Sequence, residues 1–233
     1  MNIVCIKWSD KFSHDHVNRL YKMVSKHIDD FTFTCYTEDS TNINPNITIA
    51  PLNLDYQLEN WWWKLCLFEK PTDDITIFFD LDVVIQNDIT HFKNYCNGKI
   101  RLVKAYWKSY KLKDLDMNYN SSVMIWKGDH TDIWKKFYSD PEYYMALYNG
   151  IDSFLYYNFK EKLDVFPKGE IYSRLYGVDE KDFWKPGTPR KKLYKKDNYS
   201  ICIFNGWRRD TEITNGKYTL DDDGYNGYEL YWN

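Results

Sequence analysis

Two aspartates one residue apart, Asp80 and Asp82, follow the strongly apolar run Ile75-Thr76-Ile77-Phe78-Phe79 and precede Val83-Val84-Ile85. Side chains alternate faces along an extended chain, so Asp80 and Asp82 are expected on one side, with Phe79, Leu81 and Val83 on the other. Neighbouring like charges and desolvation both raise a carboxylate's pKa, so keeping this pair ionised beside a buried strand requires compensation. A divalent cation supplies it. Hard oxygen ligands select Mg²⁺, Mn²⁺ or Ca²⁺ over zinc, and no His/Cys cluster competes for the role. A cation held by one or two carboxylates, with its other positions open, can grip a diphosphate and stabilise it as a leaving group. The plainer alternative is that Asp80-Leu81-Asp82 merely ends a strand in a solvated turn.

The elements that must position this pair are legible in the hydrophobic pattern. Ile3 to Trp8 reads as a buried strand, Val17, Leu20, Tyr21, Val24 and Ile28 recur at helical spacing, and Phe31 to Tyr36 reads as a second strand. Strand, helix, strand is the unit of a parallel sheet. A helix over Asn60 to Phe68 follows, then the strand Ile75 to Phe79 and further strands at Ile100 to Ala105, Ser122 to Trp126 and Ser200 to Phe204. Helical patterns fill Thr131 to Tyr138 and Asp152 to Lys162. This alternation predicts an α/β fold with a mostly parallel central sheet flanked by helices. The end of a parallel strand is where such folds place ligands, which is where the aspartates fall. Beyond Phe166 the pattern becomes irregular, with a basic run from Arg190 to Lys196 that reads as a solvated loop. We divide the chain into a domain over residues 1–210 and a C-terminal tail or appendage over 211–233.

Composition narrows the function classes. The 233 residues carry 31 Lys+Arg against 34 Asp+Glu, a formal net charge of -3, so no global field draws the protein to nucleic acid or an anionic membrane. Aromatic residues make up 19% of the chain, so much of the core must be aromatic. The 5 cysteines form no C-x-x-C and read as buried free thiols of a reducing compartment. No apolar run approaches the roughly 18 residues of a membrane span, and the first ten residues lack a signal peptide's apolar region. A cytoplasmic protein is the expectation.

Four islands, in order along the chain, resemble nucleotide-sugar glycosyltransferases of the GT-A (Rossmann-like) fold with a D-x-D motif, in particular the family 8-like enzymes. Trp61-Trp62-Trp63-Lys64-Leu65-Cys66-Leu67-Phe68 resembles the W-W-x-K-L-x-L-F helix that precedes the D-x-D strand. Asn120-Ser121-Ser122-Val123-Met124 resembles the N-S-S/G-V-M strand that lines the donor-sugar pocket. Pro167 to Ser173 and Ile203-Phe204-Asn205-Gly206 are similar to a loop and to the F-H-G element further on. The resemblance implies a metal-dependent transferase moving a sugar from a nucleoside-diphosphate sugar, UDP-linked by preference, to a glycan, lipid or protein acceptor. It implies Mn²⁺ or Mg²⁺ on Asp80 and Asp82, with Asn205 at the position of a family histidine ligand, and favours retention at the anomeric carbon. Arg209 falls where the family places a diphosphate-binding lysine, and a guanidinium can take phosphate bidentately. Of the family's G-D-Q, only Asp152 remains as an acid that could face the reacting sugar.

Each residue also carries a reading of its own. Lys64 offers a point charge to a phosphate or is a snorkelling surface lysine; Asn120 binds sugar hydroxyls with Ser121 beside it, or is a turn residue opening a strand; Asp152 faces the sugar or caps a helix. Trp8 could stack on a base and Asp39 accept from base or ribose, the alternatives being a core tryptophan and a solvated carboxylate. Two rival functions remain at this point. One is a haloacid-dehalogenase-type phosphatase with Asp80 as nucleophile, although its motif would continue Gly-Thr rather than Val83-Val84. The other is a nucleotide-sugar or carbohydrate-binding protein that has lost turnover, suggested by Asn205 and the missing G-D-Q.

Overall fold

The structure is a computed structural model that describes residues 1–109, 117–174, 176–178 and 196–204. Asn205, Arg209, the basic run up to Lys195 and the tail 211–233 lie outside the described residues. The central sheet has seven strands. In chain order these are β1 (Asn2–Lys7), β2 (Thr32–Thr37), β3 (Thr48–Pro51), β4 (Thr72–Phe79), β6 (Ile100–Lys104), β7 (Tyr119–Gly128) and β8 (Leu163–Val165). Their order across the sheet is β3-β2-β1-β4-β7-β6-β8. The four from β3 to β4 are parallel; β7 is antiparallel to both β4 and β6, and β6 is parallel to β8. Only β7 therefore runs against the rest, and the expected mostly parallel α/β sheet is observed.

Alternation along the strands splits the core into two layers. Ile3, Cys5, Phe33, Cys35, Ile77, Phe79, Val123 and Ile125 face one side, where helix α1 (His14–His27) contributes Val17, Leu20, Met23 and Val24. That helix is the amphipathic segment anticipated from its spacing; Ser13 and His16 form a capping box at its start, which satisfies orphan amides there. Val4, Phe78, Leu102, Met124 and Trp126 face the other side and meet an aromatic layer. That layer comprises the 3₁₀ helix Asn60–Phe68, α3 (Thr131–Tyr138) and α5 (Ile151–Phe159), with the short α4 (Pro141–Leu147) alongside. Trp62 stacks on Phe137 at 5.3 Å and 8° between planes, and Phe68 tilts against Trp126 at 5.2 Å. Aromatic side chains thus fill the core on both faces of the sheet, and on this face they interlock in stacked pairs.

Three features depart from the expectation. Asn60–Phe68 is a 3₁₀ helix, unusually long for its kind. Three consecutive tryptophans lose side-chain freedom against a preceding α-helical turn, and the tighter helix aligns residues three apart. That alignment puts Trp62, Leu65 and Phe68 together in the core and Trp61 with Lys64 on the ridge beside them. The run through Asp80 and Asp82 is not one strand. β4 ends at Phe79, and the chain turns at Leu81 into β5 (Val83–Ile85), which joins a separate three-stranded sheet with β10 (Ile201–Ile203) and β9 (Ile171–Ser173) in the order β5-β10-β9. The run near Ser200, expected as a strand, is therefore one, but lies outside the main sheet.

The free thiols follow the same layering: Cys5, Cys35 and Cys202 are buried. Burial pushes the Cys5 thiol well up and those of Cys66 and Cys202 to about 12. Alkylation of the native protein at pH 8, mapped by mass spectrometry, is expected to label half-buried Cys96 well before Cys5, Cys66 or Cys202; prompt labelling of Cys202 would contradict this core.

Candidate active site

A cleft of about 490 Å³ opens where β1 and β4 end and β7 begins. Its wall includes Trp8, Lys64, Asp80, Asp82, Asn120, Ser121 and Asp152, seven of the residues singled out in the sequence. Asp39 is not on that wall. It sits beyond β2, where hydrogen bonds from the Thr41 side chain and from the Thr41 amide, 2.9 Å from its Oδ1, hold its carboxyl below the usual range. Asn205 and Arg209 lie outside the described residues.

The acidic turn is positioned from three directions. The Asp80 amide donates to the Ser122 carbonyl at 2.8 Å, extending the β4–β7 pairing by one residue. Leu81, 3% exposed, plunges into the core between the two aspartates and turns both carboxylates toward the cleft. The Phe204 amide, just after β10, donates to the Asp82 carbonyl at 3.1 Å. Both aspartates do face one side, then, but through an anchored turn rather than strand alternation.

Lys64 is buried, which removes the surface-lysine reading. Its ammonium lies 2.7 Å and 2.9 Å from the two Asp80 oxygens, donates to the Ser121 carbonyl at 3.2 Å and hydroxyl at 3.3 Å, and sits 5.1 Å from the centre of the Phe78 ring. A buried ammonium survives only with such partners. Ser121 can reach it because of a bulge: Leu102 pairs with Met124 but Val103 pairs with Asn120, so residues 121–123 lie opposite no β6 residue. Bulges re-aim side chains in this way. Asn120 Oδ1 accepts from the Ser122 amide at 3.1 Å within the same bulge, a local turn role carried out on the cleft wall.

Asp152 stands in the first turn of α5, whose N-cap is Gly150; the capping reading of Asp152 is thus overturned. Its Oδ1 accepts from the Ser121 amide at 2.9 Å and its Oδ2 pairs with Lys108. Burial alone would raise this carboxyl, but the ammoniums of Lys108 and Lys64 and the two hydrogen bonds outweigh it and hold the pKa below the ordinary value. The aspartate is ionised at neutral pH and cannot serve there as a general acid.

Sequence reasoning missed Lys108, which lies 44 residues from its partner in no recognisable motif. It missed the Trp61–Gly150 contact too. Trp61 is 42% exposed on the cleft rim, and a Cβ on Gly150 would come 2.6 Å from its Nε1, at a backbone φ of +133° that L-residues avoid. A Gly150→Ala variant is expected to lose on the order of 1–3 kcal/mol by urea unfolding. Adding Trp61→Ala should recover only the steric share, and full recovery would show that φ imposes no strain.

No protein-family model matches the chain, and no curated protein matches it by sequence. Solved structures do. The galactosyltransferase LgtC, determined with donor and acceptor sugar analogues, matches with TM-score 0.63 at 12% identity, over 99% of this chain and 99% of its own. The apo form of the glycosyltransferase GlyE from Streptococcus pneumoniae gives 0.59 at 11%, over 99% and 59%. A glycosyltransferase involved in glycosylation of the major capsid of PBCV-1 gives 0.54 at 12%, over 93% and 98%. The chain has the fold of the GT-A glycosyltransferases. Within the described residues no helix is long and apolar enough to cross a membrane.

Proposed function

We propose that the protein is a glycosyltransferase that moves a sugar from a nucleoside-diphosphate donor, UDP-linked by preference, to a glycan, lipid or protein acceptor. The observation that carries this reading is the Lys64-clamped Asp80-Leu81-Asp82 turn on the wall of a cleft at the ends of parallel strands, in a fold shared with sugar transferases. The nucleotide belongs at the Trp8 end of the cleft, where Ile6 and Phe12 add apolar wall and Lys11 a cation. The sugar belongs at the Asn120, Ser121 and Asp152 end. Asp39 is left without a part in this arrangement, and Arg209 keeps the diphosphate role its sequence position implies.

Mn²⁺ or Mg²⁺ fits the donor set. Among the described residues no three His, Cys, Asp or Glu side chains gather as a metal site, yet Asp80 and Asp82 present two hard carboxylates from one turn. A carboxylate has about four lone-pair sites, so Asp80 can hold Lys64 and still ligate. Asn205 would add a carbonyl oxygen, and substrate or water the rest. When bound, the cation neutralises charge developing on the departing diphosphate. The chain's own contribution is positioning: Lys64 fixes the Asp80 carboxylate, and Asp152, ionised, accepts a sugar hydroxyl and stabilises positive charge at the anomeric carbon.

The phosphatase alternative is disfavoured by the fold and by Lys64, which engages both oxygens of the would-be nucleophile. A binding protein without turnover is the second outcome of the same experiment. Thermal unfolding with UDP and Mn²⁺ together is expected to raise the midpoint by about 5–10 °C at a hundredfold excess over Kd. Asp82→Ala, which leaves the Lys64–Asp80 pair intact, should abolish that shift. Release of UDP from UDP-glucose or UDP-galactose then separates a transferase from a binder. A panel of nucleoside diphosphates giving no shift with either metal would end the proposal.

A further inference from the structure

The cleft floor holds a chain of alternating charges that runs farther than the acidic turn. Asp80 binds Lys64, Lys64 binds the carbonyl and hydroxyl of Ser121, the Ser121 amide binds Asp152, and Asp152 binds Lys108. Five elements meet along it: the turn after β4, the 3₁₀ helix Asn60–Phe68, the β7 bulge, the start of α5 and the short helix α2 (Tyr106–Ser109). Lys64 is committed to three partners with its side chain 10% exposed. Lys108 has Asp152 as its partner with a side chain 23% exposed. It is also held in place: the Lys108 amide donates to the Ala105 carbonyl at 2.9 Å, and the adjacent Trp107, 7% exposed, stacks on Tyr176 at 5.4 Å and 13° between planes. Trp107, Lys108 and Tyr176 all line the cleft.

We infer that Lys108 is a positioning residue for the donor sugar: with the Ser121 amide it pins the Asp152 carboxylate from both sides, facing the reacting end of the cleft. The inference rests on the transferase reading and deepens it. Among the described residues, the charged groups facing Asp152 are Lys108 from α2 and Lys64 from the 3₁₀ helix, with Asp80 behind Lys64. Without Lys108, one Asp152 oxygen loses its ion-pair partner, and among the described residues burial is opposed by Lys64 and the Ser121 amide. The carboxyl would then take up a proton at a higher pH, and the Ser121 amide would be left as the one described hydrogen bond fixing its rotation. Lys108 does not reach the nucleotide end in this picture, so its loss should spare nucleotide affinity.

The test uses the full chain, with Lys108→Met and Lys108→Arg. UDP-glucose and UDP-galactose with Mn²⁺ are offered water as acceptor, so that the bond from the anomeric carbon to the β-phosphate oxygen breaks and one to water oxygen forms, giving UDP, free sugar and a proton. Lys108→Met is expected to bind UDP within twofold of wild type, lose at least tenfold in kcat, and shift the acid limb of its pH profile up by about one unit or more. Lys108→Arg should restore the limb. A separate arm needs no ligand. In wild type the depressed Asp152 pKa contributes stability above the unfolded carboxylate's pKa that is lost as pH falls through the folded one; in Lys108→Met a raised pKa instead costs stability at neutral pH, relieved on acidification. The Tm gap between the two should therefore be wider at pH 7 than at pH 4, and Asp152→Asn should close it. Turnover by wild type with an unmoved acid limb in Lys108→Met, or loss of UDP affinity equal to the loss of kcat, would overturn the positioning role. Absence of UDP binding and of turnover in wild type, with the Tm gap as described, would instead sink the transferase reading and leave Lys108 an ion-pair partner only.

Discussion

A charged lysine held below the surface is the constraint on which the site depends. Lys64 cannot be buried without compensation, since an ammonium removed from water must recover its hydration from fixed partners. Its three partners come from two separate segments, the turn after β4 and the bulge in β7. Satisfying the lysine thus fixes where β4 stops, how β7 bulges and how closely the tryptophan-rich 3₁₀ helix approaches the sheet. Removing Asp80 would do more than delete one carboxylate of the acidic turn, because it would strand this ammonium in a low-dielectric wall.

The sheet supplies the second constraint. Parallel strands direct their ends to one edge, and β7, the single reversed strand, threads back through that edge beside β4. Its bulge occurs there, so the irregular backbone and the acidic turn share one rim. The aromatic layer beneath gives the rim a stiff foundation: Trp62 on Phe137 and Phe68 on Trp126 leave little freedom for the segment that carries Lys64. Above it, Trp61, Asn120 and Lys108 line the cleft.

Much of this was legible in the residues. Strand and helix periodicity placed β1, α1, β2, β4 and α3 nearly where they lie, because each buries a face whose pattern the sequence must carry. The acidic pair and the Asn120-Ser121 segment were legible because both adjoin apolar strands, although a turn and a bulge rather than strand alternation aim their side chains. The 3₁₀ character of Asn60–Phe68 was hidden because its apolar spacing also suits an α-helix over so short a run. β5, β8 and β9, three residues each, are too short to show a period. The Lys108–Asp152 pair was invisible because a lysine on a four-residue helix has no local signature, and only the fold brings it to its partner.

The link between Phe204 and the Asp82 carbonyl gives the acidic turn an unusual dependence on chain connectivity. β5, which carries the chain away from Asp82, has its pairing partner in β10, more than a hundred residues later. A nascent chain that has emerged only through β7 already contains both aspartates, Lys64 and the bulge, but not the strand that holds the turn closed on its far side. The motif is therefore incomplete until β10 docks, and a fragment ending before Ser200 would carry the acidic signature without the geometry that gives it meaning.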